Sequence, residues 1–228
     1  MLEQRSEAEE IMDDPALDAD VYAAVLNDLA KVNTVTLARR PTLRFLEKAL
    51  GRATEFSLLD VGFGDGDMLR AIAKWARERG KTARLVGIDL NSRSETVARK
   101  STRADEPIEY RTGDYAELAG DRFDFIVSSL VAHHMTHEQL VAFLRFMESE
   151  AAKGWFVNDL HRHGFAYMGY PVLARLFGWH EIVRRDGHLS IARSYRPHEW
   201  PPLLDEAGIE GAEVKRVFPF RLCVERIK

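Results

Sequence analysis

The chain has 228 residues, 46 % of them apolar and 30 % charged, with a formal net charge of −4. That size and balance suit one large α/β domain with a real core, and the acidic excess excludes an electrostatic nucleic-acid binder, which needs a basic face. The single cysteine, Cys223, excludes an intrachain disulfide and fits a reducing compartment.

The acidic start, MLEQRSEAEEIMDDPALDAD, lacks the basic end and apolar core of a signal peptide. No apolar run approaches the roughly 20 residues that span a bilayer. A cytoplasmic location without a membrane span is expected. Residues 3–20 are expected to fray at their start. Residues 17–49 are helix-like, with Val21, Val25, Leu29 and Val32 at helical spacing and Pro41 splitting the stretch in two. Strands are predicted over 56–61, 83–90, 108–111, 123–130 and 154–160, and helices over 68–79, 93–101 and 137–151. Such alternation implies a parallel sheet with helices on both faces. A helix over 197–207 leads into strands 212–217 and 220–227. Only Phe218 and Pro219 separate that last pair, and so short a link permits only an antiparallel pairing. The expected fold is therefore α/β: a Rossmann-like, doubly wound, seven-stranded and mostly parallel sheet. It carries a C-terminal antiparallel hairpin, an N-terminal helical cap over 1–50, a main domain over 51–228, and an insertion over 161–196 after the fifth strand.

The most informative segment is Leu58-Leu59-Asp60-Val61-Gly62-Phe63-Gly64-Asp65-Gly66-Asp67. Three glycines between a buried strand and a helix let the backbone take positive φ and let a ligand come close. The spacing differs from the G-x-G-x-x-G of dinucleotide sites, because Asp67 stands where the third glycine would and that glycine, Gly66, comes one residue early. Asp60, Asp65 and Asp67 would repel a pyrophosphate and suit a ligand with a cationic end, such as S-adenosylmethionine (SAM). The second strand ends in Gly87-Ile88-Asp89-Leu90-Asn91, where Asp89 can accept both ribose hydroxyls. The third ends in Gly113-Asp114-Tyr115, where Asp114 can accept from an adenine amino group and Tyr115 can flank the ring.

These motifs resemble the class I SAM-dependent methyltransferases. LLDVGFGDGD is similar to that family's first motif, GIDLN to its second, GDY to its third and FDFIVSSLVAHHM to its fourth, over about residues 56–227. The resemblance implies that Asp60, Gly62, Gly64 and Asp65, with Phe63 and Gly66 of the same loop, hold the methionine end of SAM. It places the ribose on Asp89 beside Leu90, and the adenine on Asp114 and Tyr115, with Ser128 and Ser129 passing alongside. S-adenosylhomocysteine (SAH) would be the product. Among subgroups the chain is similar to methyltransferases of quinones, phenols and polyketide-like molecules. Ser128-Ser129-Leu130-Val131 departs from the polar-Pro-Pro-aromatic motif of nucleic-acid amino methyltransferases, and the paired-glutamate loop of protein arginine methyltransferases is missing. A small-molecule substrate is expected; oligomeric state is not assigned.

His133 and His134 follow the fourth strand, where some small-molecule members place a histidine base. Imidazole titrates near neutrality and suits that role. His134 is favoured over His133, on the expectation that only one of them points inward, and Asp159 is expected to orient a histidine or bind substrate. Asp159 and His161 with the histidine pair include possible metal ligands, but the oxygen-rich set of Mg²⁺-dependent catechol methyltransferases is not evident and no metal is expected. His161, Tyr167 and Tyr170 are substrate candidates within an insertion whose aromatics, among them Phe165, Phe177, Trp179 and Tyr195, could roof an apolar site. Arg162 and His163 are expected to face solvent. Arg184 and Arg185 are weaker candidates for a substrate carboxylate, and Asn33, Arg39 and Arg40 for the cofactor. The competing readings are proximity-driven C- or N-methylation, a SAM-binding subunit without catalysis, and a nicotinamide-dependent oxidoreductase.

Overall fold

The computed structural model describes residues 2–228; Met1, the first residue of the expected cap, lies outside the described residues. Two helices come first, α1 (Ala19–Val35) and α2 (Arg40–Leu50). The Asp18 carboxylate accepts from the amides of Asp20 and Val21 and caps α1, and Pro41 sits in the first turn of α2, where its missing N–H costs nothing. There follow β1 (Glu55–Val61), α3 (Asp67–Glu78), β2 (Thr82–Asp89), α4 (Ser92–Ser101), β3 (Ile108–Thr112), β4 (Phe123–Ser129), α5 (His137–Glu150) and β5 (Ala151–Leu160). The insertion forms an antiparallel helix pair, α6 (Gly164–Leu176) and α7 (Glu181–Arg193), before α8 (Trp200–Ala207), β6 (Glu213–Val217) and β7 (Arg221–Ile227).

The seven strands lie in the order β3-β2-β1-β4-β5-β7-β6, and only β7 runs against the others. Strand order reverses between β1 and β4, which opens a crevice at their carboxyl ends. Alternation along each buried strand feeds two cores. Leu59, Ile126 and Trp155 point to the face covered by α5 and α8, whereas Leu58, Phe125 and Phe156 point to the face covered by α2 and α3. On that second face Phe45 of α2 stacks on Phe156 at 4.9 Å and meets Phe125 edge-on at 5.9 Å, so α2 is anchored over β4 and β5 by an aromatic side chain whose burial contributes about 2–3 kcal/mol.

Two sequence expectations change. The N-terminal segment does not fray from residue 3. The Arg5 guanidinium lies 3.8 Å over the Tyr195 ring, and its Nε donates to the Arg193 carbonyl at 2.6 Å. The Asp186 carboxylate accepts from the amides of Ile11 and Met12, at 3.1 and 2.9 Å. A carbonyl, a tyrosine ring and a carboxylate of the insertion thus pin a segment whose composition reads as solvated. Arg162 is fully buried rather than solvent-facing, because the Glu199 carboxylate pairs with it inside the fold.

Candidate active site

The loop after β1 sits at the strand-order reversal. Gly62 has φ +76°, and a Cβ there would lie 2.3 Å from Val131 Cγ2, so only glycine lets the chains after β1 and β4 pass each other. The Asp89 carboxylate at the end of β2 accepts from the Gly64 amide at 2.9 Å and the Asn91 amide at 2.9 Å, which splints the two loops together. The three loop acids are not equivalent. Asp65 pairs with Arg70 at 2.8 Å, and Asp67 meets Asn33 at 3.3 Å and Arg39 at 3.5 Å. Asp60 is buried, and neither of its carboxylate oxygens has a hydrogen-bond partner. Burial, followed by the charges of Asp67 and Asp89, pushes its pKa well above the ordinary carboxylate range.

These groups line a cavity of about 840 Å³, within the size range of small-molecule sites. Asn33 and Arg221 also line it, and Asn33 Oδ1 and Arg221 Nη1 are buried atoms without a partner. An unpaired carboxylate, an unpaired amide oxygen and an unpaired guanidinium N–H make a polar floor complementary to a zwitterion. Each is costly to bury alone. That donor set fits the amino-acid end of SAM.

The facing wall carries the histidines. His133 Nδ1 hydrogen-bonds Asp159 Oδ1 at 2.7 Å, and the His133 amide donates to Asp159 Oδ2 at 2.9 Å. Its Nε2 lies 3.6 Å from Glu10 Oε1. Burial disfavours the imidazolium, but the two carboxylates outweigh it and hold the His133 pKa up to about 9. Burial would likewise raise the Asp159 and Glu10 carboxyls, yet His133 holds both below the ordinary range, with help for Glu10 from His134 and the Ser190 hydroxyl. The His134 ring lies 4.3 Å from that of His133, tilted by 38°, and hydrogen-bonds Asp13 through Nδ1 at 2.9 Å. Its Nε2 is 3.8 Å from Glu10 Oε2, too far for a hydrogen bond. One atom each of Glu10, His133 and His134 lies within 4.8 Å of the others, a spacing that a small cation could use, although ion pairing already accounts for the grouping.

Residues 58–154 match the family described as "Methyltransferase domain". Over that segment, 97 of the 228 residues, the chain is similar to this methyltransferase family. The plantazolicin methyltransferase BpumL, solved with SAH and a triazolic desmethylPZN analog, superposes with a TM-score of 0.69 at 16 % identity, over 89 % of each chain. Human N-acetylserotonin methyltransferase in complex with SAM gives 0.65 at 16 % identity over 92 % of this chain, which spans only 56 % of the human one. Magnesium protoporphyrin IX methyltransferase from Synechocystis PCC 6803, with bound SAH, gives 0.58 at 16 % identity over 95 % of this chain and 91 % of the other. At that identity the likeness is one of fold. None of the curated proteins matches the chain.

Around this cavity the expected site residues divide. Asp60, Gly62, Phe63, Gly64, Asp65, Asp89, Leu90, Tyr115, Ser129, His133, His134 and Tyr170 line the cavity. Gly66, Asp114, Ser128, Asp159, His161 and Tyr167 do not. Asp114 is exposed and caps its own 3₁₀ turn through the Ala116 amide. The Ser128 hydroxyl is turned down onto the Val61 carbonyl at 3.0 Å. Gly66 caps α3 against Tyr110. His161 continues the sheet edge by a bridge to Tyr195, and Tyr167 lies against His188 at 3.8 Å. Asp159 acts one step back, through His133. Both histidines line the cavity, against the expectation that one alone points inward, and the buried one is His133. Of the insertion aromatics only Tyr170 reaches the cavity, and Arg40, Arg184 and Arg185 do not. Glu10, Asp13 and Arg221 were missed by the sequence reading. Arg221 did leave a signal, a charge opening an apolar strand. Glu10 left none among its acidic neighbours.

Proposed function

We propose that this domain transfers the methyl group of SAM to a hydroxyl of a small, largely apolar acceptor of aromatic or polyketide-like kind, with His134 receiving the hydroxyl proton. The observation that carries this reading is the histidine pair, with Glu10, on the wall of the cavity that the glycine loop also lines. SAM, when bound, supplies an electrophilic methyl on a sulfonium. On the protein's side, Asp60 and Asn33 take the ammonium, Arg221 the carboxylate and Asp89 the ribose hydroxyls. Tyr115, set between Phe143 and Phe146 at 4.9 and 4.8 Å, flanks the adenine.

His133 is held as an imidazolium by Asp159 and Glu10, so at neutral pH it anchors charge and is not the base. The Asp13 carboxylate selects the His134 tautomer with its proton on Nδ1, which leaves the Nε2 lone pair for an acceptor hydroxyl. Val25, Leu26, Leu29, Val32 and Met12 supply the apolar lining from the N-terminal segment and α1. In this reading residues 1–50 and the 161–196 insertion are the cap that excludes water, and much of the rate comes from alignment.

The test is calorimetric binding of SAM and SAH, followed by transfer from labelled SAM to a panel of phenols, hydroquinones and hydroxylated polyketides. With an acceptor found, His134→Gln should lower kcat by about 10²–10⁴-fold while leaving SAH affinity unchanged. Unchanged turnover would remove His134 as base and leave transfer by proximity.

A further inference from the structure

Nine of the ten large hydrophobic side chains that stand exposed among the described residues fall in three stretches of sequence, 29–46, 160–180 and 214–224. On α6 they form a stripe. Phe165, Met168, Val172 and Leu176 are 68–80 % exposed, and their spacing of three to four residues puts them on one helical face. The opposite face of α6 carries Ala174 into the interior and Tyr170 into the cavity wall. The three stretches meet in space. The His163 ring lies 5.7 Å from Phe165 and 5.2 Å from the exposed Phe220. Arg221, beside Phe220, donates to Thr36 at 3.3 Å, between the exposed Val35 and Leu37. Val32 of α1 packs with Ala174 and Trp179.

Together these stretches hold nine Lys and Arg residues; the acids that adjoin them in sequence are Asp28, Glu47, Asp159, Glu181, Glu213 and Glu225, and all of these but Glu181 pair with a basic side chain. Arg40, Arg44, Arg175 and Arg216 among the nine are exposed. On a chain of net charge −4, an apolar stripe on a face with four exposed arginines is the complement of an anionic lipid surface, where apolar side chains enter the headgroup boundary and the cations meet lipid phosphates. A symmetric pairing of two copies through this face would instead set like cations against one another. We propose that this face docks on an anionic lipid surface with α6 lying in the membrane plane; no helix among the described residues is long and apolar enough to cross one. Because Tyr170 of the same helix walls the cavity, an acceptor dissolved in the bilayer would reach the site beside α6, a consequence that rests on the acceptor-site reading above.

The experiment is vesicle flotation of the full chain, with phosphatidylcholine vesicles containing or lacking phosphatidylglycerol, alongside SAH calorimetry. The wild-type chain should float with the anionic vesicles only, and less so as salt is raised. Met168→Glu/Leu176→Glu should partition at least about tenfold less, since it removes two inserting side chains and adds two repelled charges, with SAH affinity unchanged. Arg175→Glu/Arg216→Glu should weaken flotation without touching the stripe. Wild-type protein that floats with neither vesicle overturns the proposal. So does a wild-type dimer in sedimentation that Met168→Glu/Leu176→Glu splits, which makes a second copy the occupant. Failure to bind SAH removes the cofactor reading and leaves the flotation result to decide this one.

Discussion

Asp159→Asn tests the arrangement at the histidine wall. The His133 pKa is held up to about 9 by Asp159 and Glu10 against the cost of burial, from an ordinary value of 6.5. That shift is worth about 3 kcal/mol of folding free energy. The sign follows from proton counting: between pH 6.5 and about 9 the folded chain keeps a proton on His133 that the unfolded chain has released. The contribution is therefore complete below pH 6.5, declines by about 1.4 kcal/mol per pH unit as pH rises, and is gone above about 9. Asp159→Asn removes the principal counter-charge and leaves a neutral amide that can still accept from Nδ1. Burial then keeps His133 neutral and most of this slope disappears. Urea unfolding of both proteins at pH 6, 7.5 and 9.5 measures it, and the titrating groups away from His133 cancel in the difference. Wild type should exceed the variant by about 3 kcal/mol or more at pH 6 and by about 1 kcal/mol at pH 9.5, the worth of an ordinary hydrogen bond. A gap that stays constant across the three pH values would refute a charged His133 in the folded protein.

Asp60→Asn should raise the SAH dissociation constant at least about tenfold, the loss of one charged hydrogen bond, while leaving thermal stability equal or higher because the repulsion from Asp67 and Asp89 is relieved; calorimetry and melting curves read the two effects separately. Gly62→Ala should destabilise by about 2 kcal/mol or more, since its methyl would meet Val131 Cγ2 at 2.3 Å with φ at +76°, and SAH binding should be lost with the loop geometry; denaturant midpoints and calorimetry check both.

The elements of this fold were legible to within a residue or two wherever a signal was local. The apolar run of β1, the glycines after it and the Asp at the end of β2 are neighbours in sequence, and the sheet joins them through Asp89 and the Gly64 amide. α8 begins at Trp200, three residues after the expected start, because a 3₁₀ turn over Pro197–Glu199 precedes it. β5 begins at Ala151, three residues before the expected start, because the chain leaves α5 without a loop and Ala151 pairs with Phe123 across an irregular register. No turn residue marks such a junction.

The acceptor side was less legible because its chemistry is assembled by distance. Asp159 lies 26 residues from His133, Glu10 lies 123 residues from it, and Arg221 lies 185 residues from Thr36. Glu10 shares an acid-rich run with Glu7, Glu9 and Asp13, where composition assigns every carboxylate to solvent. What singles it out is tertiary: Asp186 of α7 holds the amides of Ile11 and Met12, and so drops the preceding side chain beside Ser190 and both histidines. Gly187 is part of the same device. A Cβ at this position would lie 2.2 Å from the Tyr170 hydroxyl, so a glycine inside α7, unfavourable for a helix by about 1 kcal/mol, lets Tyr170 lie across α7 and reach the cavity. A glycine spent in a helix interior next to an aspartate was therefore a readable sign of close packing, and the insertion's contribution to the site turns on that pair rather than on its many aromatics.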